Sequence, residues 1–557
     1  MPTDVSFLRE EVEPYVDDLY LQSPLLKRHR DMAVIHLLRA FDDWSRLRTM
    51  KPLFEGKQVE FHVTLRWAHL AIPWALRWVW SDCPVEGSAS LDLNWDAYGE
   101  AAELMHLSFK YYQLCRCFIL YSRGYFGVET FKEQKRIRFF FRSEAEEKRD
   151  AASLVDEIVR DTPPVPEAIF KFLASSMPVI NTVLPHYIEK TGETSIRCDT
   201  PPDMLAYFKR WAILQIEEMK FDMPGRWQFG DFSLEQFRSF WLSLFTVALA
   251  HIAAHHLADD AVGTKGSAVG SVVMQANEEW LMKARSLFPI PEAAWHSIFE
   301  LLVYQPTRKY WDPFWQPIIR TLSGTLLISP HMVVASSPQR NLITLLNRSA
   351  EGRRFYDRVS SEKEDEQLNV LANLFDGPRF ITRKRVPVPR QDGKTLTDID
   401  LIAYDSTDDV LLLVHAKWLI KPDMVQEVLA RDAEVQSALE TAESAFGRIG
   451  ELGAEWISNV LGRALKSSPR IYSVVVNQDF IPSGWVYNEQ VPVVNTDYAV
   501  EFVRSSQFKG LGSLYAACAG FNQYLAERHP VKLGEGEIRF GKYLFEIPTV
   551  EETAKQS

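Results

Sequence analysis

Cysteine is scarce in this 557-residue chain: Cys83, Cys115, Cys117, Cys198 and Cys518, an odd number without CxxC spacing. That excludes a disulfide framework and a cysteine-built structural zinc site, and it fits a reducing cytoplasm. No P-loop, GxGxxG or GxSxG occurs, so a nucleotide-driven motor and a serine hydrolase have no support. The acidic opening MPTDVSFLREEVEPYVDD lacks the basic and apolar stretches of a signal peptide, and none is expected. Basic charge is in deficit too. Net charge is −12, so any nucleic-acid site must be a local patch. The longest apolar run, Phe240–Leu257, is marginal for a bilayer span and carries three histidines. It reads as a buried core helix, and no membrane partner is expected.

What is present is apolar and aromatic enough for several cores. Hydrophobic residues make up 46% and charged ones 24%, with 16 Trp and 33 Phe, so the chain is globular and of more than one domain. Residues 1–345 read as helices between Pro- and Gly-containing turns, forming one or two domains. Ala101–Tyr121 has helical apolar spacing, and Asp231–Gln236 resembles a helix cap leading into the apolar run. Pro163–Pro166 and Pro201-Pro202 are expected breaks. His251, His255 and His256 could hold a metal, but packing at a helix end is the simpler reading. The Cys115/Cys117 pair and Trp67, Trp74, Trp78 and Trp80 read as core.

Near residue 346 the texture changes. Leu368, Val370, Leu371, Leu374 and Phe375 form a helical apolar stripe behind SEKEDEQ. Strand-like runs follow at Arg379–Val388, Thr397–Tyr404 and Val410–Leu419, the last two joined by a short polar turn. A helix is expected from Pro422 to Phe446, then strands at Ile471–Val476 and Val491–Val494. The fold class is therefore α+β multidomain: a mostly helical region over 1–345, then an α/β domain with a mixed sheet over 346–505. Residues 506–557 are expected to be a C-terminal helix and tail packing on that domain.

Strand side chains alternate faces. In TDIDLIAY, Asp398 and Asp400 share one face; in VHAKWL, His415 and Lys417 do. A hairpin sets the two strands side by side, and if their polar faces coincide the four converge at one end of a sheet whose other face is apolar.

TDIDLIAYD, a short turn, then LLLVHAKW, between Ser361 and Arg504, resembles the PD-(D/E)XK nuclease superfamily, and the KW pair resembles a bacterial branch of it. The resemblance implies a restriction-endonuclease-like sheet and a site that hydrolyses phosphodiester bonds with Mg²⁺ or Mn²⁺. Asp400 matches the metal-binding Asp and Lys417 the Lys that assists the attacking water. Asp398 would be a second carboxylate, and Glu366, ahead of Glu364, the acid on the preceding helix. Gln436 matches a downstream Gln seen in some branches.

The departure is His415, which stands where the family has Glu or Asp. Imidazole suits Mn²⁺ or softer ions better than Mg²⁺. Either His415 is itself a ligand, or a carboxylate such as Glu427 or Glu434 replaces it, or the fold binds without cutting. The basic run Arg379, Arg383, Lys384, Arg385, Arg390 and Lys394 could track a phosphate backbone, or could simply protect an exposed strand edge. Arg340 could also reach nucleic acid. The expected function is a cytoplasmic nuclease, DNA favoured, in bacterial defence; the alternative is a nucleic-acid- or protein-binding adaptor. The helical region would serve a protein partner or homo-oligomerisation.

Overall fold

Three stretches with apolar residues at helical spacing form the first bundle. They are α1 (Arg30–Phe54), α2 (Gln58–Asp82) and α3 (Trp95–Ser122). Leu37, Phe41, Ile72, Leu76, Leu114 and Leu120 are buried between them. Asn94 caps α3 by accepting the amide of Ala97. In this computed structural model the described residues are 5–54, 58–87, 89–161, 167–191, 196–218, 223, 226–263, 271–276, 286–307, 311–422, 425–478 and 482–552.

The hairpin β1 (Phe126–Phe131) and β2 (Arg136–Phe141) leads into α4 (Glu144–Asp161). Among the described residues two helices are long and apolar enough to cross a membrane: α5 (Glu167–Val183, with the turn to Tyr187), and α6 (Leu234–Val262), which carries Phe240–Leu257. The second is a core helix. Its capping box joins Ser233 and Gln236, and Phe237, Phe240, Trp241 and Phe245 are fully buried. A further helix begins at Pro202, as the paired prolines imply; the Pro163–Pro166 break lies outside the described residues.

The chain then enters α7 (Ala350–Asn373), followed by β3 (Phe380–Pro389), β4 (Thr395–Asp405) and β5 (Val410–Lys417). A long helix α8 (Val425–Leu461) extends well past the expected Phe446 and is interrupted at Gly453, where φ is 68°. Strands β6 (Arg470–Asn477) and β7 (Val493–Asn495) complete a five-stranded mixed sheet in chain order. Its first two pairings are antiparallel and its last two parallel. One face is covered by α7, α9 (Thr496–Arg504), α10 (Leu511–Ala519) and α11 (Phe521–Arg528); the other is covered by α8. The architecture is α+β and multidomain.

The C-terminal segment divides. Helices α10 and α11 pack on the mixed sheet, but β8 (Val531–Phe540) and β9 (Tyr543–Glu552) leave it. Strand β9 pairs parallel with β2, closing a sheet of order β1-β2-β9-β8 in the helical region. The tail expected on the sheet domain is therefore a hairpin on the other body. Ile538, Phe540, Phe545 and Ile547 alternate around a turn at Gly541, whose φ is 56°, and bury against Phe126 and Phe139. Burial of one such aromatic contributes about 1.5–3 kcal/mol.

Candidate functional site

Asp400 lies midway along β4, at the point where that strand parts from β5; the last paired residues on that side are Leu401 and Val414. Its carboxylate accepts the backbone N–H of Ala416 at 2.9 Å, which ties it to the neighbouring strand. Glu364, half-buried on α7, faces Asp400 and the Lys417 ammonium, and accepts the backbone N–H of Trp418. Burial raises the pKa of both carboxyls; Lys417 opposes the rise in each, and their mutual repulsion adds to that of Glu364. Two acids from different elements thus converge with one lysine at the C-terminal end of β5.

The helix acid is Glu364, not Glu366. Glu366 is exposed and paired with Lys363 at 2.8 Å. Residues two apart on an α-helix point about 200° from one another, so only one of them can face the sheet.

Asp398 is exposed at the pairing with Pro387, near enough to Asp400 for its charge to help raise the Asp400 pKa. Strict alternation breaks here. Ile399 packs on the α8 side, whereas Leu401 packs on the opposite side. Across from them Arg385 takes a left-handed conformation (φ 51°) and the strand register skips the Arg385–Asp400 position.

His415 continues the Leu411 and Leu413 side of β5 toward α8, and the Lys417 ammonium lies near enough to act on it. It is only 3% exposed, and its Nε2 has no hydrogen-bond partner among the described residues. Asn477, level with Lys417 on β6 and on the same face, is likewise buried with its amide unpartnered. Burial, then the Lys417 ammonium, pushes the His415 pKa down to about 4, so the ring is neutral at pH 7. A folded-state pKa below the unfolded one means stability is intact above about pH 6.5 and is lost as pH falls toward 4. This predicts a loss of about 2 kcal/mol between about pH 7.5 and about pH 5. In urea titrations His415→Leu removes most of that slope; an unchanged slope would show that the imidazole is not held neutral in the fold.

The other candidates scatter. Glu427 is engaged by Arg340 at 2.7 Å, which also takes Arg340 away from any nucleic-acid role. Gln436 is exposed on α8. Glu434 pairs with Arg431 and, with Glu364, lies close enough to influence the Tyr356 hydroxyl. Of the basic run, Arg379 binds Asp405, and Arg383 donates to the carbonyls of Val460 and Leu461 near the end of α8. Lys384 bonds Asn369, and Arg385 pairs with Asp365 at 2.6 Å on the rim of the acid pair. Arg390 and Lys394 are exposed at the tip of the β3–β4 hairpin.

Sequence reasoning missed Trp418 and Tyr356, whose rings lie 6.0 Å apart beside the site. It noted the KW pair but had no signal for what the indole packs against.

The set-aside features are structural. Trp78 stacks on Tyr20, and Trp74 and Trp80 contact Tyr111 and Tyr304; the Trp67 side chain lies outside the described residues. Burial pushes the thiols of Cys115 and Cys117 up to about 12, so neither is a ready thiolate. His251 and His255 pack ring against ring at 4.4 Å.

Among the described residues no group of three or more His, Cys, Asp or Glu is arranged to hold a metal ion. Two hard carboxylates converge at the site, and that donor set fits Mg²⁺ or Mn²⁺, which keep several waters and complete their shell with substrate phosphate. Comparison of the chain with family models, with curated proteins and with solved structures finds no match.

Proposed function

We propose that the chain is a metal-dependent nuclease, DNA favoured as substrate, acting through Glu364, Asp400 and Lys417. One observation carries this reading. An acid from the preceding helix, an acid from the second strand and a lysine from the third meet at one end of a mixed sheet. Glu364 and Asp400 would hold Mg²⁺ or Mn²⁺. When bound, such an ion would neutralise phosphodiester charge and acidify the attacking water.

The chain's own residues do the rest. The Ala416 and Trp418 amides fix the two carboxylates, whose mutual repulsion a bound cation would offset. Lys417 supplies positive charge where charge develops on phosphorus in the transition state. Arg385, in an exposed pair worth little to stability, can exchange Asp365 for a phosphate. Water attacks phosphorus, the bond to the leaving oxygen breaks, and solvent protonates that oxygen. A cytoplasmic role in bacterial defence belongs to the same proposal.

A second reading has one observation in its favour: the position expected to hold an acid carries a buried neutral imidazole. On that reading the domain binds nucleic acid or protein without cutting. Incubating the full chain with plasmid DNA, linear DNA and RNA, in Mg²⁺ and in Mn²⁺, separates the two. Cleavage with either metal supports the nuclease; binding without cleavage in both supports the adaptor.

A further inference from the structure

The site is built from parts anchored in two different cores. Helix α7 begins in the core of the helical region, where Phe355 and Val359 are buried with Trp241, Trp295 and Phe299. The same helix ends in the sheet domain, where Leu368 and Leu371 are buried against Leu401, Leu412 and Val474. Glu364 lies between the two anchors. Its neighbour Glu362 is fastened to the helical region, accepting from Trp227 Nε1 at 3.1 Å, and Phe355 packs edge-on against Trp227 and Phe229.

Strand β5 behaves in the same way. Val414 and Ala416 belong to the sheet core, but Trp418, one residue after Lys417, is buried in the core of the helical region, with Ile420 packed against it. Trp418 therefore sits at the junction. Its indole is held by one body, its backbone amide donates to Glu364, and the residue before it is Lys417.

We propose that Trp418 is a positioning residue through which the helical region sets the geometry of the Glu364–Asp400–Lys417 cluster. The claim that this geometry governs cleavage rests on the nuclease reading; the mechanical claim does not. The site is incomplete without the helical region, because the sheet domain alone fixes neither the start of α7 nor the indole. A ligand or partner that repacks the helical region around Phe355 and Trp418 would move Glu364 relative to Asp400 and so change the cutting rate.

The test uses the full chain with Trp418→Ala, Trp418→Phe and Tyr356→Ala, the last removing only the aromatic neighbour. Two readouts are taken: DNA cleavage, and hydrogen exchange at the Ala416 and Trp418 amides against Leu413 in the middle of β5. Trp418→Ala is expected to lower kcat roughly 10–100-fold with little change in KM. Exchange at Ala416 and at position 418 should rise by about tenfold while Leu413 stays protected. Trp418→Phe should restore most of both, and Tyr356→Ala should show the same pattern more weakly.

Unchanged exchange at Ala416 and position 418 in both alanine variants overturns the proposal. So does a Trp418→Ala enzyme that cuts at the wild-type rate, and that result leaves the nuclease reading standing. If wild type does not cut in any metal, the nuclease reading fails and exchange alone decides the positioning role. Should Trp418→Ala lose protection at Leu413 as well, Tyr356→Ala and Trp418→Phe decide it.

Discussion

Lys417→Ala lowers the rate of DNA cleavage by about 10²–10³-fold while the protein keeps its fold and its affinity for DNA. The lysine is half-buried at the end of β5 and faces two carboxyls whose charge it partly offsets. Its removal takes away the fixed positive charge nearest the acid pair. Stabilisation of this kind is realised mostly in the transition state, so kcat falls and KM stays nearly level. Asp400→Asn should be as damaging, for a different reason. The amide keeps the bond from Ala416 but offers a cation no negative charge. The two variants therefore differ in metal dependence: raising Mn²⁺ recovers part of the Asp400→Asn rate and none of the Lys417→Ala rate. Initial rates across a metal series check both.

Asp405→Ala destabilises the sheet domain by about 3–5 kcal/mol, the largest stability effect expected of a single surface-distant change here. The carboxylate is fully buried at the end of β4. It accepts from Arg379 through both oxygens, at 2.8 and 2.6 Å, and from the amides of Thr407 and Leu511. One side chain thus joins the start of β3, the β4–β5 turn and the beginning of α10. Without it the Arg379 guanidinium loses its main partner and the Leu511 amide is left buried without an acceptor. Despite its burial, the bonds to Arg379 and to the amides hold its pKa below the ordinary Asp value. Its contribution is accordingly present above the ordinary carboxylate range and disappears as pH falls through that lowered value. Urea unfolding at neutral pH measures the loss; a change below about 1 kcal/mol would mean that water replaces the network at no cost.

Much of the sheet domain was legible in the chain itself. Val410–Val414 is a continuous apolar run bounded by a polar turn, and β4 and β5 form the expected hairpin, with five pairs from Leu401–Val414 to Asp405–Val410. The helix–three strands–helix–two strands order follows from those runs. The parts that were not legible depend on geometry that sequence period does not encode. Asp398 and Asp400 look equivalent at spacing two, but Asp400 is half-buried beside Lys417 while Asp398 is exposed, and a left-handed Arg385 on the facing strand accompanies a break in alternation. Glu364 and Glu366 are chemically alike, and only the packing of Leu368 and Leu371 sets which one the helix turns inward. The basic run could track a phosphate backbone or guard a strand edge. Arg379 and Arg383 are instead bound to a buried carboxylate and to helix-end carbonyls, contacts made by residues far along the chain.

The C-terminal hairpin illustrates the same limit. Its alternation was present in the sequence, but its partner strand, β2, is some four hundred residues earlier: Leu544 pairs with Arg136 and Phe545 with Ile137. Long-range pairing of this kind carries no local signature. The hairpin gives the helical region a covalent hold on both ends of the sheet domain, consistent with a site assembled across the two bodies.

Cleavage of plasmid DNA by Glu364→Gln and Glu366→Gln, run side by side with wild type in Mn²⁺, is the most direct measurement. The two substitutions are the same chemical change two residues apart on one helix, so net charge is matched, and Glu366→Gln carries the loss of the Lys363 pair. Wild type and Glu366→Gln should cut at similar rates, and Glu364→Gln should be slower by about 10²-fold or more. Equal rates for the two variants, or the greater loss in Glu366→Gln, would contradict a site built from Glu364, Asp400 and Lys417.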